Sequence, residues 1–149
     1  MDETEYWDAL RVVRWAMRWE ALRNADTFAK IAAALPDSRV RDRLLEFAEV
    51  PTETPVKDIA ARFGSSGWVV ETVPLALFVG LKMKQKTLES ALTELPEPVE
   101  DADTIGSIAG QIAGARLGFA RLPESLVSLP FVAAIQHAAD GLASFVPEK

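Results

Sequence analysis

The sequence contains no cysteine and a single histidine, His137, in 149 residues. Disulfides, thiolate metal sites and cysteine nucleophiles are excluded, as is a multi-histidine metal site within one chain. Basic residues are in deficit: 16 Lys and Arg stand against 22 Asp and Glu, a net charge of −6. Nucleic acids and anionic membranes select the opposite balance, so neither is expected as a partner. Long apolar runs are missing too. The nearly uncharged stretch from Trp68 to Leu81 holds Glu71 and Pro74 and falls short of the roughly 20 apolar residues a membrane span needs. The Met-Asp-Glu-Thr-Glu start lacks the basic and apolar regions of a signal peptide, which points to the cytoplasm. There is no P-loop and no GxGxxG loop.

What is present reads as helix throughout. At this length one domain, residues 1–149, is expected, and it can bury about 70% of its unfolded surface. Residues 4–22 place Tyr6, Leu10, Val13, Met17 and Ala21 on one helical face. A second helix runs over 25–35. Asp37 or Ser38 caps a third to Val50, with Val40, Leu44, Leu45 and Phe47 facing inward. Thr54-Pro55 opens a fourth, which ends at Gly64. Gly64-Ser65-Ser66-Gly67 is the most loop-like stretch of the chain. Further helices are predicted from Val69 to Met83, from Thr87 to Leu95, and over 104–120, 124–129 and 131–145, with Pro96-Glu97-Pro98 as a connector. No alternating strand and no repeat occurs. The predicted class is all-α, a compact multi-helix bundle.

Two helices stand out. The first carries a second apolar stripe of Val12, Trp15, Trp19 and Leu22, which reads either as core or as a partner surface. Beside it Arg11, Arg14 and Arg18 form a stripe that reads as a solvated, ion-paired face. The helix over 104–120 has glycine at 106, 110, 114 and 118. Each interior glycine costs about 1 kcal/mol against alanine, so the register predicts close approach of a neighbouring helix. In the last helix Phe131, Ile135, Ala138, Leu142 and Phe145 form the apolar set, and His137 lies away from them, expected in solvent.

The chemistry sits at Asp101-Ala102-Asp103-Thr104. Two carboxylates and a hydroxyl are hard oxygen donors suited to Mg²⁺, Mn²⁺ or Ca²⁺. The same tetrad also reads as a helix N-cap, with Asp103 or Thr104 accepting backbone N–H bonds. It is not an EF-hand, because Ile105 and Ile112 stand where that loop needs oxygen ligands.

The run from Asp101 to Gly118, followed by Leu122-Pro123-Glu124, resembles the C-terminal signature of ADP-ribosylglycohydrolases. Upstream, Phe63-Gly-Ser-Ser-Gly-Trp-Val-Val-Glu-Thr-Val-Pro-Leu-Ala-Leu77 is similar to the family's glycine loop and following helix. The likeness is clearest over residues 40–146. It implies an all-α fold and hydrolysis of ADP-ribose from protein side chains or small ADP-ribosyl conjugates, assisted by two Mg²⁺ or Mn²⁺ ions. It implies Asp101, Asp103 and Thr104 as metal ligands. It places Gly64, Ser65, Ser66, Gly67 and Trp68 along the substrate cleft, with Trp68 either a stacking wall or plain core. No catalytic acid or base is assigned. Two departures stand against the family pattern. Val99-Glu100 replaces a Gly-Gly pair, and the N-terminal Gly-Asp and Thr/Ser-Asp-Asp motifs do not occur. The resemblance therefore implies a C-terminal half, incomplete without an N-terminal half of the same enzyme. The alternative is a non-catalytic helical module that self-associates through Trp15 and Trp19.

Overall fold

The computed structural model describes residues 2–17, 26–82, 88–93, 95 and 99–145. Every regular element among them is helical, so the fold is all-α. Ala21, Trp19, Leu22, Arg18, Thr87 and the Pro96–Pro98 connector lie outside the described residues.

Helix α5, Val69–Lys82, is the centre. Apart from Glu71 and Lys82 it is written in uncharged residues, and 12 of its 14 residues are buried. That is the pattern of a helix covered on all sides. Helices α1 (Glu3–Ala16), α3 (Arg39–Ala48), α4 (Val56–Phe63), α6 (Leu88–Thr93) and α7 (Ala102–Leu117) pack on it, and α2 (Thr27–Ala33) backs α3. Phe47 is the hub of the aromatic core. Its ring lies 5.5 Å from Phe28, 4.6 Å from Phe63 and 6.0 Å from Phe78.

Local signals set most of the ends. The Asp2 side chain caps α1 by accepting the Thr4 N–H, and Ser38 caps α3 by accepting that of Arg41. Helix α4 starts at Val56 with Pro55 as its cap residue, one position later than the Thr54-Pro55 reading. Helix α7 stops at Leu117 rather than at 120, because Gly118 takes φ 71° and turns the chain into a short 3-10 segment, Phe119–Arg121. On α3, Leu45 is exposed, not core: the inward set Val40, Leu44 and Phe47 leaves it on the flank.

Helix α1 presents the face opposite to expectation. Tyr6, Leu10 and Met17 are exposed, and the buried side is Glu5, Asp8, Ala9, Val12 and Ala16. Small Ala9 and Ala16 let α1 lie close on α5, and arginines answer the two carboxylates. Glu5 pairs with Arg39 of α3, and Asp8 pairs with Arg11 at 2.9 Å. Of the second stripe, Val12 is fully buried core and Trp15 is exposed.

The glycine register of α7 does not serve close packing either. An added Cβ at Gly110 or Gly114 meets nothing within 4 Å, and at Gly106 only Leu95 at 3.5 Å. Helix α7 instead buries Ile105, Ala109, Ile112 and Ala113 against α5. The glycines sit one residue on, about 100° round the helix. The close approach is made by Gly80 of α5, where a Cβ would come within 3.1 Å of Ile112.

The chain ends in α8 (Glu124–Val127) and α9 (Val132–Ala143). Ser125 hydrogen-bonds Glu89 of α6, and Leu122 and Leu126 lean on the core. Helix α9 buries no residue, and His137 is exposed with the rest of it.

Candidate functional site

The loop after α4 and the start of α7 meet, although 35 residues separate their contacts. Ser65 makes the join. Its carbonyl accepts the Asp101 N–H at 2.9 Å, and its hydroxyl accepts the Glu100 N–H at 3.0 Å. Ser65 is buried, so these bonds are shielded from water and fix the approach of Asp101. Gly67 lies directly over that carboxylate: a Cβ there would stand 3.0 Å from Asp101 Oδ2.

The loop itself is braced from α5. Gly64 takes φ 84°, which favours glycine, and the Glu71 carboxylate occupies the space where a Cβ would project. Glu71 accepts the Ser66 N–H at 3.0 Å and the Ser66 hydroxyl at 2.7 Å. Thr72 donates its hydroxyl to the Ser66 carbonyl at 2.6 Å. Glu71 and Thr72 were not marked as site residues by sequence reasoning. The available signal was that Glu71 is the one acidic residue in an otherwise apolar stretch. Trp68 is half-buried, and the Arg39 guanidinium sits 5.1 Å from its ring centroid. The same arginine pairs with Glu5, so α1, α3 and the glycine loop are tied at one point.

Asp101 is the N-cap residue of α7 without a side-chain cap bond. Asp103 and Thr104, in the first turn, are exposed. Asp103 Oδ1 accepts the Thr104 N–H at 3.0 Å, a bond to the next residue within the first turn, so the N-cap expected of Asp103 or Thr104 is not formed. The Asp103 carboxyl is held below its usual range, first by a hydrogen bond with the Asp101 side chain and then by the Thr104 N–H. Two carboxylates and a hydroxyl are hard oxygen donors, the residue types that could hold a divalent ion which keeps several waters. Among the described residues no three His, Cys, Asp or Glu side chains converge on a point where they could hold a metal ion, at Asp101 and Asp103 or elsewhere.

The Val99-Glu100 departure is accommodated. Val99 is buried in the core, Glu100 contributes its N–H to Ser65, and neither takes a positive φ. No described helix is long and apolar enough to cross a membrane.

No curated protein and no solved structure matches the chain. A family model does, and its match runs over residues 6–147, reaching further toward the N-terminus than the motifs suggest. The glycine loop seated on Asp-x-Asp-Thr and the extent of that match lead to one assignment: the chain belongs to the ADP-ribosylglycohydrolase family.

Proposed function

We propose that the chain provides the C-terminal metal-ligand cluster of an enzyme that hydrolyses ADP-ribose from protein side chains or small ADP-ribosyl conjugates in the cytoplasm. In this reading Asp101, Asp103 and Thr104 hold Mg²⁺ or Mn²⁺. Such an ion, when bound, supplies Lewis-acid polarisation at the bond to be cleaved. The rest is the work of the chain's own groups. Asp103 presents its carboxylate at the exposed first turn of α7, where Oδ1 accepts the Thr104 N–H. Ser65 fixes where Asp101 stands. Gly67, with no side chain, leaves the space beside Asp101 Oδ2 open for substrate. Trp68 lines the approach to that space, with Arg39 over its ring.

The observation that carries the reading is the Ser65–Asp101 hydrogen bond, with Gly67 beside the same carboxylate, which brings together two motifs far apart in sequence. Complete turnover needs further ligands, and we assign them to an N-terminal half of the same enzyme. Tyr6, Trp7, Leu10 and Trp15, exposed on α1, are the surface proposed for its docking.

Calorimetric titration of Mn²⁺ and Mg²⁺ into the wild type and Asp103→Ala tests the ligand set. Weak heats in the wild type, lost in Asp103→Ala, are expected; equal heats would remove Asp103 as a ligand. Release of ADP-ribose is then followed for the chain alone and with an N-terminal half from an intact relative. No turnover alone, and turnover in the mixture that Asp101→Asn abolishes, is expected. Turnover by the chain alone would overturn the two-part site.

A further inference from the structure

Helix α9 and the residues at its two ends carry a seam that none of the described residues covers. Phe131, Ile135, Leu142 and Phe145 are 57, 58, 72 and 85% exposed, and Ala138 between them is exposed as well. Their spacing alternates four and three residues, the 3.5-residue repeat of a helix that pairs with another helix. The flanking positions are small or apolar: Val132, Ala134, Ala139 and Gly141. Gln136, His137, Asp140 and Ser144 all fall on the remaining side. A helix of 12 residues without packing is marginal in water, so its formation calls for a cover.

The order of the seam identifies the cover. Read outward from Ala138, it runs Ile135 then Phe131 in one direction and Leu142 then Phe145 in the other. It is nearly the same read forward or backward. A two-fold interface requires one patch to be complementary to itself, and a seam symmetric about its centre meets that requirement antiparallel. We infer that α9 pairs antiparallel with α9 of a second copy of this chain, with Ala138 on the two-fold axis. Phe131 of one copy then lies against Phe145 of the other, and Ile135 beside Leu142. The small flanking residues allow the helices to approach closely, and no charge in the seam opposes it. The four large side chains expose on the order of 500 Å² per copy, so the pair buries ~1,000 Å², the lower limit for a specific interface. The dimer is accordingly weak and concentration-dependent. This inference does not rest on the proposed hydrolase function.

The test uses the whole chain. Sedimentation equilibrium across a concentration series should show a monomer–dimer equilibrium that changes little with salt. Ile135→Asp should weaken it at least tenfold while the melting temperature holds, because α9 contributes nothing to the core. The chain has no cysteine, so Ala138→Cys introduces its one thiol. Mild oxidation should link Ala138→Cys into a disulfide dimer. Ala133→Cys, on the far side of the helix, should form no disulfide-linked dimer, nor should Ala138→Cys combined with Ile135→Asp. A wild type that is monomeric throughout the series would overturn the proposal, whatever else binds the seam. So would equal cross-linking at positions 133 and 138, or a dimer that Ile135→Asp leaves intact.

Discussion

The Glu71 carboxylate fills the volume in front of Gly64 and from there holds both the N–H and the hydroxyl of Ser66. Any side chain at position 64 must displace it and must also accept φ 84°. Gly64→Ala is therefore expected to lower stability by about 1–2 kcal/mol through the left-handed backbone. The freed Ser66 bonds add to that. Urea denaturation measures it, and a loss within error of zero would show that the loop is not held this way.

Two glycines in packed helices should respond with opposite sign. Gly80→Val pushes into Ile112 and should cost roughly 1–3 kcal/mol by overpacking the α5–α7 contact. Gly110→Ala enters open space and should gain up to about 1 kcal/mol in helix propensity. Thermal melts of the two variants beside the wild type decide both. A destabilised Gly110→Ala would mean that the glycine face of α7 is covered.

Glu5 is only 2% exposed and its partner Arg39 lies on another helix. Arg39→Met leaves that carboxylate buried and unpaired, at an expected cost of about 3 kcal/mol. Glu5→Gln combined with Arg39→Met should recover a good part of the loss, because no buried charge is then stranded. The double-mutant cycle in denaturant reads the coupling, and simple additivity would contradict the pairing.

Ser65→Ala removes the acceptor for the Glu100 N–H and should cost about 1 kcal/mol. On the proposed metal reading Mn²⁺ affinity should fall as well, because the residue before Asp101 loses its anchor, while the Ser65 carbonyl that accepts the Asp101 N–H remains. Stability and titration measured on the same variant separate the two. An affinity equal to wild type would show that Asp101 is placed without the Ser65 hydroxyl.

The helices and the Asp-x-Asp-Thr cluster were legible because both are written in local patterns: periodicity, caps, and donor types at close spacing. The inward face of α1 was not. Both its faces carry apolar residues at helical spacing, and the choice was made by Arg39, 34 residues away from Glu5. No window around Glu5 contains that partner. The glycines of α7 misled for a related reason. Their register fixes that they share a side of the helix but not what stands opposite, and the close contact belongs to a single glycine on α5. The junction of Ser65 with Glu100 and Asp101 is likewise a long-range contact. The two motifs could be named separately from the sequence, but their meeting depends on how α5 seats both of them.

The burial of α5 also sets an order in time. Amide protons in its interior can reach solvent only when the helices around it have come away, so their exchange should report global unfolding. Those of α9 in a lone chain are freed by fraying alone and should exchange orders of magnitude sooner. The gradient runs through α7, whose inner residues share the fate of α5 while its first turn, bearing Asp103 and Thr104, faces solvent. The cluster proposed to hold metal should thus lie at the boundary between the slowest and the fastest parts of the molecule, anchored on one side and free to adjust on the other.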